Sequence, residues 1–192
     1  LSMIAFTLLW TGAYLMQKTS YNNHYYLLVL ISVVMCFLPA HRAYSMDSKR
    51  NPQLRSDQMY TGVKWIIIFQ LFIVYTYASI AKLYADWFDF TIIAQLMEAR
   101  KDFFLIGPPL QLPFVHKIIG VFGILFDLLV VPLLLFKPTR KWAFIASIFF
   151  HLFNSVVFHL GIFPYLSLAF CVFFFEPETI RRIFFKKKPI PT

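Results

Sequence analysis

The chain has 192 residues, of which 59% are hydrophobic, 20% are aromatic and only 14% are charged. A soluble domain of this length does not need so much apolar surface, and the apolar residues occur in runs that are typical of membrane helices. The formal net charge is +9, which in such an apolar chain indicates positive-inside bias and argues against binding of nucleic acid.

The apolar runs predict an all-α fold, a polytopic bundle of transmembrane helices. Six apolar segments lie at roughly 1–17, 25–40, 61–85, 116–136, 141–160 and 162–175. The third, fourth and fifth have the ~20 residues that a span requires, whereas the second and sixth are short. The mixed segment 91–106 predicts one amphipathic or re-entrant helix, which we expect Gly107, Pro108 and Pro109 to end.

The distribution of charge predicts the organisation of the chain. Residues 1–180 form one predicted transmembrane domain, and residues 181–192 form a basic tail. The chain starts at Leu1 inside an apolar run, which favours a domain truncated at its N-terminus. If all six segments span, most lysines and arginines fall on the side of the tail, which is then predicted to be cytoplasmic.

The two cysteines carry no metal-site signal. Cys36 and Cys171 both lie in apolar runs, and the sequence has no CxxC motif and no Cys/His cluster with metal-ligand spacing. We therefore predict buried structural thiols and no metal centre.

Polar residues recur at helical spacing in three of the segments. The stripes are Tyr75, Ser79 and Lys82 in the third segment; His116, Gly120, Gly123 and Asp127 in the fourth; and Ser147, His151, Asn154 and Ser155 in the fifth. Such stripes commonly join helices by hydrogen bonds. On that interpretation Asp127 and His151 form a simple buried pair, Lys82 reaches toward the membrane surface, and His116 is an interfacial residue.

A functional interpretation rests on the ionisable residues. Charged side chains are costly in a bilayer, so Lys82, Asp127 and His151 are candidates for a functional site. A lysine in apolar surroundings loses its proton more readily, because desolvation disfavours the charged form. Beside aromatic walls, such a base suits an apolar acidic substrate such as a hydroquinone.

Several short motifs carry a family resemblance. They are HRAYSMD (41–47), YTYASIAKLYADW (75–87), GILFDLLV (123–130), FFHLFNSVVFHLGIFPYL (149–166) and FFEPE (174–178). In this order and spacing, from about Asn23 to Arg182, they resemble the membrane domain of the vitamin K-dependent gamma-glutamyl carboxylases. The bacterial relatives of that domain form the horizontally transferred transmembrane, or HTTM, family.

The resemblance implies a reaction and its residues. Lys82 would deprotonate reduced vitamin K, oxygen would add, the oxygenated vitamin K would remove a gamma proton from glutamate, and carbon dioxide would add. His41 would assist at the hydroquinone. Tyr75, Ser79, Asp127, His151 and Asn154 are predicted to bind the quinol or shape its pocket, with Asp127 paired to a neighbouring helix.

The same resemblance implies partners and a location. The co-substrates would be reduced vitamin K, O2 and CO2, and the partners would be membrane lipid, the quinol and a glutamate-containing peptide. We expect a multi-pass protein of a bacterial inner membrane. Six spans would put His41 on the cytoplasmic side and Lys82 toward the other, so a shared site requires a re-entrant second segment or a folded-in 41–60 loop.

Other functions stay open. The domain would equally suit another quinone reaction or a peptide-maturation role. A non-enzymatic transporter or proton pathway would use Lys82, Asp127 and His151 as a relay. The remaining alternative is a structural assembly subunit.

Overall fold

A computed structural model describes residues 1–16, 23–56 and 58–185, and within these ranges all regular secondary structure is helical. The predicted all-α class is therefore confirmed. The chain divides into two compact units, Leu1–Ile67 and Ile68–Thr192. The described α-helices are α1 (Ser2–Met16), α2 (Asn23–Cys36), α3 (Met46–Arg50), α4 (Thr61–Ile80), α5 (Ala85–Phe88), α6 (Thr91–Glu98), α7 (Gly107–Leu110), α8 (Pro113–Leu135), α9 (Lys137–Val157), α10 (Phe163–Cys171) and α11 (Pro177–Phe185).

In the first unit, helices α1 and α2 pack through aromatic and small polar side chains. The ring of Trp10 lies edge-on to Tyr25 at a centroid distance of 5.6 Å. Thr7 Oγ1 donates to the Met3 carbonyl oxygen at 2.8 Å and lies 3.3 Å from Cys36 Sγ. Cys36 therefore contacts another helix of its unit but is only half-buried, whereas Cys171 is a buried free thiol of α10, as predicted.

In the second unit, α8 is the helix against which α6, α7 and α9 pack. The closest approach is at Gly120, where a Cβ would lie only 2.7 Å from Ile93 Cδ1 and 2.8 Å from Phe90 Cδ1. Any side chain at this position would force the side chains of Ile93 and Phe90 to shift, so the glycine permits the close packing seen here. Ile93 and Met97 of α6 form a buried core with Leu110.

Two helices among the described residues are long and apolar enough to cross a membrane. They are α4, with 20 residues, and α8, with 23. Helices α1 and α2 and the segment Phe163–Phe174 are apolar but shorter. Helix α9 has 21 residues but also a row of polar side chains, and it is not one of the two. The six predicted spans are therefore not confirmed.

Two predicted helix boundaries are wrong. The third segment is helical only to Ile80, and Lys82 lies in the turn that follows. The helix predicted over 91–106 ends at Glu98, and Gly107-Pro108-Pro109 begins α7 instead of ending a helix. Proline suits the first turn of a helix, because its missing N–H has no helical partner there.

The predicted boundary between domain and tail falls inside a helix. Helix α11 runs without a break from Pro177 to Phe185, across residue 180. Residues 186–192 of the predicted basic tail lie outside the described residues, so the division at 180 stays a prediction.

Candidate functional site

The candidate site lies where helix α4 ends against the middle of helix α8. Ser79 Oγ donates to the carbonyl oxygen of Ile124, the central residue of α8, at 3.2 Å. Trp87 Nε1, just beyond the turn, donates to the Gly120 carbonyl oxygen at 3.2 Å. The non-helical residues 81–84 therefore face the middle of a helix that is long enough to span a membrane.

This arrangement brings Lys82 to Asp127. Lys82 Nζ forms an ion pair with Asp127 Oδ2 and also donates to the Ala78 carbonyl oxygen at 3.1 Å. The Asp127 side chain is 5% exposed and that of Lys82 is 21% exposed. The resemblance implied that Asp127 pairs with a neighbouring helix, whereas its partner Lys82 lies in the turn that follows α4. The alternative pair of Asp127 with His151 is not the arrangement described.

Trp87 and Gly123 complete the surroundings of the lysine. Nζ of Lys82 lies 5.5 Å from the centroid of the Trp87 ring, within the range of a cation–π interaction. A Cβ at Gly123 would lie 3.7 Å from Trp87 Cζ2 and 4.0 Å from Lys82 Cε. The glycine thus leaves the face of α8 open to both side chains.

A second polar contact is made by Tyr75, one turn before Ser79 on the same face of α4. Tyr75 Oη and His151 Nε2 are 2.6 Å apart, and the two residues are 2% and 0% exposed. Around His151, the rings of Phe126 and Phe163 lie at centroid distances of 5.9 Å. Phe126 directly precedes Asp127 in α8, so the Tyr75–His151 contact between α4 and α9 lies beside the stretch of α8 that pairs with Lys82.

We expect the Tyr75 hydroxyl to contribute to stability, not only to the site. The substitution Tyr75→Phe leaves His151 Nε2 without this buried partner and should lower the free energy of unfolding by about 1–3 kcal/mol. Thermal unfolding in detergent measures the change. Tyr77→Phe is the matched control, since Tyr77 lies on the same helix and is 68% exposed. Equal effects of the two substitutions would contradict the assignment.

The predicted stripe on α9 is only partly buried. Ser147 is 0% and Asn154 is 7% exposed, so both lie on the buried face with His151. Ser155 instead forms an exposed hydrogen bond of 2.8 Å with Tyr165 Oη of α10. Asn154 thus lies on the helix face that packs inward, as predicted, and Ser155 does not.

The sequence also singled out two histidines, His41 and His116. His41 lies in the first unit, on a 3-10 turn Ala40–Arg42, with an exposed side chain. Its carbonyl oxygen accepts a hydrogen bond from Ser45 Oγ. Its participation with Lys82 stays a prediction. His116 lies near the start of α8 and is buried, and its Nε2 lies 2.8 Å from the Leu110 carbonyl oxygen; its predicted interfacial position stays a prediction.

Sequence spacing missed the contribution of Trp87. The residue lies five positions beyond Lys82, outside the helical stripe, and reaches α8 only because the chain turns at 81–84. The motif around Lys82 contained Trp87, but no periodicity marked this residue.

A hydrogen bond of the Asp89 side chain marks the start of α6. Asp89 Oδ1 accepts from the Thr91 backbone N–H at 2.9 Å, and this hydrogen bond lowers the pKa of the Asp89 carboxyl.

The model of the HTTM domain matches residues 1–178. The chain belongs to the HTTM family. HTTM is a membrane domain associated with the membrane domain of the carboxylases. Among the described residues of this HTTM chain, α4 and α8 are the two helices that are both long and apolar enough to span a membrane. No solved structure matches the chain.

Proposed function

We propose that this HTTM protein is a carboxylase-like membrane enzyme of the lyase class. It couples oxygenation of reduced vitamin K, or of a related quinol, to gamma-carboxylation of glutamate. The observation that carries the proposal is the shielded Lys82–Asp127 pair, held beside Trp87 at a helix end that abuts the middle of α8. Intramembrane charges of this kind mark functional sites.

The pair supplies a proton acceptor. An ammonium paired with a carboxylate leaves one basic group, the carboxylate, so the pair can accept one more proton. When a quinol hydroxyl approaches, its O–H bond breaks, the proton passes to the Lys82–Asp127 pair and the electron pair stays on the quinol oxygen. Lys82, which is the more exposed partner, first passes its ammonium proton to the Asp127 carboxylate and then receives the proton of the substrate as a neutral amine.

The surroundings suit a planar apolar substrate. Trp87 offers an aromatic face next to the lysine, and Gly123 adds no side chain that would fill the space. Quinols combine such a ring with an acidic hydroxyl. With the quinol, O2 and CO2 bound, O2 would oxidise the quinol to its epoxide and its second oxygen atom would leave as water. The gamma C–H bond of glutamate would break, its proton would be taken up by the oxygenated quinol, and the carbon would bond to carbon dioxide.

The remaining predicted residues take supporting roles in this proposal. Ser79 fixes the end of α4 on α8, Tyr75 and His151 hold the adjoining helices, and Asn154 shapes the inner face of α9. His41 assists at the quinol hydroxyl. We further propose a multi-pass arrangement of six spans in a bacterial inner membrane, with a glutamate-containing peptide as the second substrate.

The experiment uses membranes that contain the full-length protein, supplied with the reduced vitamin K, oxygen, labelled bicarbonate and a short glutamate peptide. We expect vitamin K epoxide and fixed label with the native chain, and neither product with Lys82→Ala. Lys101→Ala is the matched control, since Lys101 forms an exposed ion pair with Glu98 and should leave both products unchanged.

Other combinations of the two products would favour other functions. Epoxide without fixed label would support quinol oxygenation with a different acceptor, as in another quinone or peptide-maturation role. Full activity of Lys82→Ala would reject Lys82 as the base. If neither product forms, ion or substrate flux in quinone-free liposomes would favour the transport pathway over the enzyme.

A further inference from the structure

Three parts of the chain meet at the end of the second unit where α8 stops. The backbone carbonyl oxygen of Leu134, in the last turn of α8, accepts a hydrogen bond of 2.9 Å from Arg140 Nε of α9. Lys137 Nζ, at the start of α9, forms an ion pair of 3.3 Å with Glu176 Oε1, one residue before α11. These contacts place the end of α8 and the starts of α9 and α11 together.

Basic side chains concentrate at this end. We name as the basic collar the five residues Lys137, Arg140, Lys141, Arg181 and Arg182. The acidic residues beside them in the chain are Glu176, which pairs with Lys137, and Glu178. The collar therefore carries a net positive charge, and the sequence adds three lysines directly after α11.

Large apolar side chains are exposed among these charges. Trp142 is 70% exposed and Phe136 is 60% exposed. In α11, Ile180, Ile183 and Phe184 follow the i, i+3, i+4 spacing of one helix face. Ile183 and Phe184 are mostly exposed. Between Ile180 and Ile183 in the chain, Arg182 is exposed and Arg181 is half-buried.

The length of α8 sets the depth of the collar. At 1.5 Å per residue, its 23 residues rise about 35 Å, slightly more than the hydrocarbon core of about 30 Å. The end of α8 therefore reaches the headgroup layer of a bilayer that α8 spans. Tryptophan, arginine and lysine are the side chains that favour this layer.

We propose that the basic collar binds the phosphate headgroups of anionic phospholipids, with α11 lying along the membrane surface. Ile183 and Phe184 enter the acyl boundary while the arginines and lysines contact the phosphates. An amphipathic helix with a basic polar face behaves in this way. Each lysine or arginine near an anionic surface strengthens the attraction by about 1 kcal/mol, which is about fivefold in affinity.

The test measures lipid binding by the full chain in detergent. Energy transfer from its tryptophans to dansyl-labelled phosphatidylglycerol reports occupancy, and unlabelled phosphatidylglycerol, phosphatidylcholine or inorganic phosphate competes. We expect phosphatidylglycerol to compete best, and added salt to weaken its binding. Arg181→Gln with Arg182→Gln should weaken it by about 25-fold, on the scale of fivefold per residue.

Two variants keep the result interpretable. Arg181→Lys with Arg182→Lys preserves the charge and should retain the binding. Lys101→Gln with Lys117→Gln removes the same charge from exposed positions outside the collar and should leave the binding nearly unchanged. Equal losses in the collar variant and the Lys101/Lys117 variant, or equal competition by phosphatidylcholine, would overturn the proposal. Competition by inorganic phosphate as strong as by phosphatidylglycerol would also overturn it, in favour of a free phosphate site.

Discussion

Lys82→Met is expected to lower the free energy of unfolding by about 3 kcal/mol, because it leaves the Asp127 carboxylate buried without its ionic partner. The double variant Lys82→Met with Asp127→Leu should recover most of that loss, since two apolar side chains carry no unpaired charge. Neither variant should form epoxide or fix carbon dioxide. Unfolding in detergent and the product assay together measure this double-mutant cycle.

The double-mutant cycle distinguishes a contribution of the Lys82–Asp127 pair to stability from a contribution to the reaction. A folded, stable double variant without activity places the pair in the reaction. If the double variant keeps activity, the pair serves stability alone and the base lies elsewhere. Lys101→Met provides the reference, because its ion pair with Glu98 is exposed at both side chains and should change stability by less than about 0.5 kcal/mol.

Gly120→Ala and Gly123→Ala are expected to change stability in opposite directions. At Gly120 the new methyl group would overlap Ile93 and the Phe90 ring, and relieving that overlap should cost about 1–3 kcal/mol. At Gly123 the methyl group meets only ordinary van der Waals distances. There the better helix propensity of alanine should add up to about 1 kcal/mol of stability.

The substitution Gly123→Ala also tests the proposed quinol site beside Lys82. In Gly123→Ala the methyl group contacts Lys82 Cε and the Trp87 ring, so it narrows the space that we propose for the quinol. A raised KM for the quinol in a stable protein is the expected result. Loss of stability in Gly123→Ala similar to that of Gly120→Ala would contradict the packing described for this face of α8.

Much of the fold was predictable because its signals are local. Apolar runs predicted the all-α class, and the spacing of Ser147, His151 and Asn154 predicted the buried face of α9. The helix end at Ile80 was not predictable, since the apolar pattern continues through Leu83. It depends on contacts of Ser79 and Trp87 with α8, which are distant in sequence.

The candidate site was likewise only partly predictable from the sequence. A lysine in an apolar run is visible in the sequence, and its cost in a membrane marks it as a candidate without further information. The sequence by itself thus determined the all-helical class of the protein, the family resemblance and the choice of Lys82 as a candidate residue. Tertiary structure decided that Asp127, not apolar surroundings alone, faces the ammonium group, and that Tyr75, not Asp127, is the partner of His151. The physical reason is that helical periodicity determines which face a residue occupies, whereas the rotation and offset between helices determine which faces meet.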